Sequence, residues 1–486
     1  MNSLTLTTGA PTTIVWIALP LFIGFSIYLL PKLARFLALG VALVSAAYGV
    51  QLFFQPSPLD LQLLDNFGVT LVADQLSSFF ILTNAIVTAA VIFYCWDSGK
   101  TAFFYTQTII LHGSVNAAFV CADFISLYVA LEVISIAAFL LIAYPRTDRS
   151  IWVALRYLFV SNTAMLFYLV GAVLVYQANH SFAFAGLAEA PAEAIALILL
   201  GLLAKGGIFV SGLWLPLTHS ESESPVSALL SGVVIKAGVF PLVRCALMIE
   251  AIDPIVRIFG VGTALLGVGY AILEKDAKRM LAFHTVSQLG FVLAAPEVGG
   301  FYALTHGLVK SALFLIAGIL PTRNLKELKQ KPIHTPIWVA LVIASFSISG
   351  FPLLSGFGAK VLTMKNLLPW QMIGMNLAAL GTAISFAKFI FLPHEWQAGK
   401  AIVKPGFWAA MLLLLGGLFA ANVVYYDAYT VANVVKPLAT IALGWLAYLL
   451  IFQRTVFKLP TVLERFEHLI GVMSLVLILL FWMVLA

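Results

Sequence analysis

Charge is what this chain has least of. Only 10% of its 486 residues are Asp, Glu, Lys or Arg, 62% are hydrophobic, and the mean hydropathy is +1.03. Soluble domains run to roughly 25% charged residues, so this composition cannot furnish a water-facing surface. Cysteine is nearly absent too. Cys95, Cys121 and Cys245 lie apart in apolar stretches, with no CxxC and no histidine at ligand spacing. That excludes an iron–sulfur cluster or a structural zinc and leaves inert core thiols. No glycine-rich loop follows a strand-like run, so nucleotide binding is not indicated. The alternating ten-residue segments of a membrane barrel are missing. Low-complexity and Gly/Ser linker segments are missing as well, and no loop is long enough to fold alone.

What is present is a succession of apolar runs of the length that carries a helix across roughly 30 Å of hydrocarbon. Sixteen candidate spans fall near 13–30, 33–54, 76–96, 102–121, 123–144, 153–176, 192–213, 225–249, 255–273, 278–295, 301–320, 335–366, 371–393, 405–425, 430–452 and 464–486. The fold class is therefore an all-α polytopic membrane protein of about 14–16 transmembrane helices in one membrane domain. The first run lacks a basic leader and a cleavage motif, so it reads as a retained span. The net charge of +6 needs no nucleic acid as a partner, because membrane proteins concentrate Lys and Arg in cytoplasmic loops. Seventeen such residues follow odd-numbered spans, whereas only Arg257, Lys365 and Lys436 follow even-numbered ones. This bias predicts that both termini face away from the cytoplasm. Residues 55–75 read as an acidic loop, and Glu464, Arg465, Glu467 and His468 as a solvated helix start.

Against this background the intramembrane charges stand out, since each costs at least about 2.5–3.5 kcal/mol to insert. They are Glu132, Lys205, Lys236, His284, His306, Lys310, Lys360 and Lys388, with His112, Arg156 and Arg244 nearer helix ends. Snorkelling does not rescue Lys205, Lys236, Lys310 and Lys360, which sit deep in their runs. One such lysine could simply tie helices together. A set of them with so few acids points instead to proton transfer, because desolvation disfavours the charged form of a lysine and brings its titration toward neutrality. A row of such groups with histidines between them is a proton relay. Two runs are also interrupted: AKGGIFVSGLWLP around Lys205, by Gly206, Gly207 and Gly212, and SGFPLLSGFGAK around Lys360, by Gly350, Pro352 and Gly356. Broken helices at matching places in two halves point to a midplane ion site.

At these residues the chain resembles the proton-conducting subunits shared by respiratory complex I and the Mrp-type multi-subunit cation/proton antiporters. DFISLYVALEVISIAAFLLIAY is similar to the family's fifth helix, with Glu132, and LLAKGGIFVSGLWLP to its seventh, with Lys205. THSESESPVSALLSGVVIKAGVFPLVR resembles the following loop and eighth helix, with His219, Lys236 and Arg244. KDAKRMLAFHTVSQLGF and THGLVKSALFLIAG resemble the tenth and eleventh helices, and SGFPLLSGFGAKVL the broken twelfth. The resemblance implies two inverted five-helix repeats with broken seventh and twelfth helices. They would occupy 102–249 and 255–395, between N-terminal helices (1–100) and C-terminal helices (396–486). It also implies a relay of Glu132, Lys205, Lys236, His284, His306, Lys310 and Lys360: Glu132 pairs with Lys205, Lys236 and the His284, His306 and Lys310 region form the centre, and Lys360 is the exit.

FHTVSQLGF and DFISLYVALEV look like the Mrp D subunit, and the lysine in the twelfth helix disfavours the similar complex I subunit that usually has glutamate there. Val210 and Gly212 depart from the family's usual proline and histidine after the seventh-helix lysine, and two spans exceed the usual fourteen. The leading expectation is thus a proton-translocating subunit of a cation/proton antiporter, with sodium as the exchanged ion. It would work with other membrane subunits in an energy-transducing membrane, most simply a bacterial plasma membrane. The alternative is a pumping membrane-arm subunit of a complex I-type NADH or ferredoxin:quinone oxidoreductase. A third reading, a structural subunit that has lost conduction, leaves the buried charges without a reason. No cofactor or metal is expected. Purified protein should show a blank optical spectrum beyond its aromatic band and blank metal analysis; stoichiometric iron would contradict this reading.

Overall fold

The computed structural model describes residues 10–64, 68–396, 403–453 and 464–485. The chain opens with α1 (Ala10–Leu29), α2 (Ala34–Phe53) and two antiparallel strands, β1 (Leu59–Leu64) and β2 (Gly68–Ala73). α3 (Gln75–Tyr94), α4 (Ala102–Ala118), α5 (Phe124–Ile142), α6 (Asp148–Asn179) and α7 (Ala192–Lys205) follow. Two short helices, α8 (Leu215–Glu221) and α9 (Ser224–Leu229), lead through a π-turn at Leu230–Val234 into α10 (Lys236–Met248). Next come α11 (Asp253–Leu273), α12 (Ala277–Ala294), α13 (Pro296–Ala317), the single turn α14 (Leu325–Leu328), α15 (Thr335–Ser349), α16 (Ser355–Lys365) and α17 (Met372–Ile390). Last are α18 (Pro405–Val424), α19 (Val431–Ala447), which runs on into a π-turn at Tyr448–Phe452, and α20 (Phe466–Leu485).

Each of the sixteen expected spans coincides with helix. Thirteen helical segments among the described residues are long and apolar enough to cross a bilayer. The other three expected spans miss that measure for visible reasons: α4 has 17 residues, α12 carries Lys278, Arg279, His284 and Gln288, and the twelfth span is split between α15 and α16. The protein is a multi-pass helical membrane protein. Its centre is formed by α9–α10, α12 and α13, which are enclosed along nearly their whole length, while α1, α18, α19 and α20 lie at the rim with outward apolar faces. The polar side chains in question sit mostly on the enclosed helices, shielded from lipid. Cys95, Cys121 and Cys245 are buried and unpaired, as expected of core thiols.

Two expectations need correction. Residues 55–75 are not simply a loop, because β1 pairs with β2 from Leu59↔Ala73 to Leu64↔Gly68. This ribbon is pinned to α5: Asp123 caps that helix through Ser126 N–H at 2.7 Å and also accepts Thr70 N–H at 2.8 Å. The start of the last helix is not wholly solvated either. Arg465, Glu467 and His468 are exposed, but Glu464 is buried and accepts two hydrogen bonds of 2.9 Å from Arg279, 185 residues earlier.

Arg244 fastens the N-terminal helices to the centre. It forks onto both carboxylate oxygens of Asp74, which caps α3 through Ser77 N–H, and also donates to Ser77 Oγ at 3.1 Å. Burial alone would raise the Asp74 carboxyl pKa, but the Arg244 ion pair and the Ser77 bonds outweigh it and hold the group below its ordinary range. A carboxylate with a lowered folded-state pKa contributes stability that is lost as pH falls through that value. Asp74→Asn is expected to cost about 3 kcal/mol by stranding the arginine, lowering the thermal midpoint in detergent at neutral pH. The difference from wild type should shrink in acid, and an unchanged midpoint at pH 7 would contradict it.

Candidate functional site

Lys205 is the last residue of α7, and the chain then turns through Gly206 and Gly207 into a 3-10 turn at Phe209–Gly212. The ammonium there donates to Leu131 C=O at 3.1 Å, Ser161 Oγ at 2.7 Å and Ser135 Oγ. These three acceptors match the three N–H bonds of a lysine, and none carries charge. Glu132 lies within electrostatic reach of Lys205 but is not in ion-pair contact with it. The reason is helical geometry. Leu131 and Ser135 are four residues apart and share the face of α5 that meets Lys205, which turns Glu132 about 100° away. Glu132 Oε1 is buried with no hydrogen-bond partner among the described residues.

Lys236 follows directly on the π-turn. In the wider turn Ile235 N–H bonds Leu230 C=O, five residues back, which disturbs the ladder of carbonyls behind it. Lys236 donates to Ser231 C=O at 3.2 Å and Gly232 C=O at 2.6 Å. This segment crosses α13 at Gly307, where a Cβ would lie 2.3 Å from Thr83 Cγ2 and 2.9 Å from Gly232 C=O. Any larger residue would push the two helices apart beside the lysine.

Lys310 on α13 donates to Leu281 C=O of α12. The same carbonyl accepts the Thr285 hydroxyl at 3.0 Å, and Thr285 Oγ1 lies 2.7 Å from Ser231 Oγ. Ser231 and Thr285, both fully buried, thus form a continuous polar bridge between the acceptors of Lys236 and Lys310. His306 is within electrostatic reach of Lys236, Lys310 and His284. His284, its ring 4.7 Å from that of Phe386, is within reach of Lys310, Lys388 and Lys360. Both ring nitrogens of each histidine are buried without a hydrogen-bond partner among the described residues.

Lys360 lies in α16 just past the break in the twelfth span. Gly350 ends α15 at φ +86, a conformation that suits glycine. A Cβ there would stand 2.9 Å from Lys360 Cδ, so the lysine stem folds back across the break. Its ammonium has no hydrogen-bond partner among the described residues and lies 5.4 Å from the centre of the Phe291 ring. It lines a cavity of about 180 Å³ with Ser349, Asn376, Asn433, Lys436 and Thr440, room enough for several waters.

The seven residues of the expected relay fall into two groups: Glu132 with Lys205, and Lys236, His306, Lys310, His284 and Lys360. No hydrogen bond among the described residues joins Lys205 to Lys236. Lys388, also within electrostatic reach of His284, donates to Ala271 C=O at 3.1 Å and Glu274 C=O at 2.8 Å as a cation at the C-terminus of α11. Nothing in the sequence alone singles out Ser135, Ser161, Ser231 or Thr285. His219 stands out there only as part of a motif, without a role. Its side chain is fully buried, lies within reach of Lys310 and Lys278, and has both ring nitrogens unpaired among the described residues.

The family model described as NADH:quinone oxidoreductase/Mrp antiporter, TM, matches residues 121–385, which contain all seven relay residues. The chain is 28% identical to the D subunit of the Na(+)/H(+) antiporter of Alkalihalophilus pseudofirmus, over 76% of this chain and 83% of that one. It is 30% identical to the N subunit of the NADH-quinone oxidoreductase of Desulforudis audaxviator, over 70% and 76% respectively. A chain in the structure of the Mrp complex from Dietzia sp. DQ12-45-1b shares the fold with a TM-score of 0.74 and 20% identity, covering 96% of this chain and all of that one. With the matched region spanning more than half its length and enclosing the whole series of buried lysines, the chain belongs to the NADH:quinone oxidoreductase/Mrp antiporter family of membrane subunits.

Proposed function

We propose that the chain is a proton-translocating, D-like subunit of a multi-subunit cation/proton antiporter, with sodium as the exchanged ion. One observation carries this reading: four buried lysines in series, Lys205, Lys236, Lys310 and Lys360, none of them in ion-pair contact with a carboxylate among the described residues. Ammonium groups held only by carbonyls, hydroxyls or a ring face are not locked in the charged state as a salt-bridged lysine would be. Each is free to give up a proton to a neighbour and regain one. Likeness to the D subunit of a Na(+)/H(+) antiporter supports the same reading.

In this scheme Glu132 biases Lys205 by its field rather than by contact. Lys236 and Lys310 exchange protons through His306 and through water held by the Ser231 and Thr285 hydroxyls, since the backbone carbonyls that accept from the two ammoniums cannot themselves pass a proton. His284 carries them on toward Lys360, which meets water in its cavity. The two halves, 102–249 and 255–395, act as inverted repeats contributing one broken helix each, and other membrane subunits complete the cation path. The setting is a bacterial plasma membrane, and the bias of Lys and Arg among the loops supports an orientation with both termini outside the cytoplasm.

The likeness to a quinone oxidoreductase subunit favours a second reading, in which redox chemistry in partner subunits drives the same relay. Gentle extraction and identification of co-purifying subunits separates the two. Small hydrophobic antiporter subunits support the first, and iron–sulfur or quinone-site proteins the second.

Two substitutions test the relay. Lys360→Arg keeps the charge but not an easily released proton, because arginine stays protonated in almost any environment. It is expected to lose most transport, as Lys360→Ala does, when pH-gradient dissipation on cation addition is measured in inverted vesicles and normalised to assembled complex. Near-normal activity would return the residue to helix packing. Thr285→Val removes the bridging hydroxyl at nearly constant volume and is expected to slow transport about tenfold, a barrier change of about 1.4 kcal/mol, while Thr285→Ser retains most of it. Equal rates for the valine and serine variants would show that the hydroxyl is not on the path.

A further inference from the structure

A groove of about 610 Å³ runs along the outward side of α6 beside the start of α20. Its walls are mainly apolar, and Leu155, Phe159 and Leu166 are well exposed on them. At its head sits Arg156, only 4% exposed. One nitrogen donates to Glu464 C=O, but Nε and NH1 have no partner among the described residues. The Glu464 carboxylate does not pair with it, being engaged by Arg279. A guanidinium buried in this way, with two of its nitrogens unsatisfied and no anion in contact, calls for an acceptor-rich anion.

The depth of Arg156 identifies which anion. Arg156 touches the residue that closes the ionic cluster of Glu274, Arg279 and Glu464, so it lies at the polar boundary of the bilayer. Trp152, one turn toward the helix start, is exposed and carries Arg149 5.3 Å from its ring, as befits a residue at headgroup level. From Arg156 to Leu166 the groove descends ten residues, about 15 Å at 1.5 Å per residue, which is half of the roughly 30 Å hydrocarbon layer. A charged head at the boundary and an apolar channel one leaflet deep match a phospholipid better than a soluble anion. Asn162 and Thr163, also in the groove wall, offer hydrogen bonds that glycerol ester groups can take and bare hydrocarbon cannot.

We propose that this groove binds an anionic phospholipid, with its phosphate forked by Arg156 and one acyl chain laid over Phe159 and Leu166. The site lies apart from the lysine series and does not depend on the relay. By joining the headgroup to Arg156, the lipid would also brace the start of α20 through Glu464.

The test uses the protein purified from its membrane with whatever subunits accompany it, reconstituted with diazirine-tailed phosphatidylglycerol or phosphatidylcholine. Photolabelling should concentrate on residues 152–166 with the anionic lipid and fall at least fivefold with the zwitterionic one. Arg156→Gln should erase that difference, and Leu166→Trp, which obstructs the tail channel and leaves the arginine alone, should lower labelling by both. If Arg156→Gln does not assemble, the wild-type lipid comparison and Leu166→Trp still decide. Equal labelling by both lipids in wild type would overturn the proposal. So would full displacement by tailless glycerol phosphate, or cross-linking of Asn162→Cys to a helix of another subunit.

Discussion

An ammonium group inside a bilayer must draw its acceptors from the protein or from water that the protein admits, and this constraint shapes the centre of the molecule. A regular helix has few to offer, since its carbonyls are engaged four residues ahead. Of Lys205, Lys236, Lys310 and Lys360, three lie where a helix is interrupted, but only Lys236 takes its acceptors from the interruption. Lys205 is held by Leu131 C=O, Ser135 and Ser161 of the unbroken α5 and α6. Lys205 ends α7, Lys236 follows the π-turn at 230–234, and Lys360 folds back over the break at Gly350. Lys310 is the exception, in the unbroken α13. It uses the remaining capacity of Leu281 C=O, which Thr285 also shares. At Lys236 the interruption itself supplies the acceptors that hold the ammonium without a carboxylate.

The same constraint explains the layering. The polar track is tolerable only if lipid cannot reach it, so the helices that carry most of it are enclosed and the rim is left to apolar ones. Close approach is the other requirement. Where the π-turn crosses α13, Gly232 and Gly307 meet backbone to backbone and bring Lys236, Ser231 and Lys310 into one neighbourhood. Small residues at a membrane helix crossing usually serve association; here they also set the distance between titratable groups.

Much of this was legible in one dimension. Apolar runs of about twenty residues give the spans directly, and a charge within such a run is conspicuous because it is costly. The helix breaks showed in the clustered Gly and Pro around Lys205 and Lys360. What escaped was whatever depends on a residue far away in sequence. Ser135, Ser161, Ser231 and Thr285 look like ordinary small residues of membrane helices until the fold sets them against a lysine or one another. Glu464 looks like a solvated helix start until Arg279 reaches it. The ribbon at 59–73 is different, since Leu59-Asp60-Leu61-Gln62 alternates with the period of a strand, a signal overshadowed by the acidic residues around it. The family resemblance implies a Glu132–Lys205 pair; the structure sets the two within electrostatic reach but not in contact, because one residue's offset on α5 puts Leu131 and Ser135 in front of the lysine.

The four lysines are not equivalent, and the difference bears on direction. Lys205, Lys236 and Lys310 each have carbonyl or hydroxyl acceptors within the protein, whereas Lys360 has none among the described residues and is the one that lines the cavity at the break. On the proposed reading the interior three are places where a proton can reside, since solvation there is built in and constant. At Lys360 solvation must come from water in the cavity, so its charge state is tied to the hydration of a space bounded by α16, α17 and α19. Part of that wall, Asn433, Lys436 and Thr440, comes from α19, which lies at the rim of the bundle. On that reading, movement of the rim helix α19 would change the solvation of Lys360 without disturbing the enclosed centre.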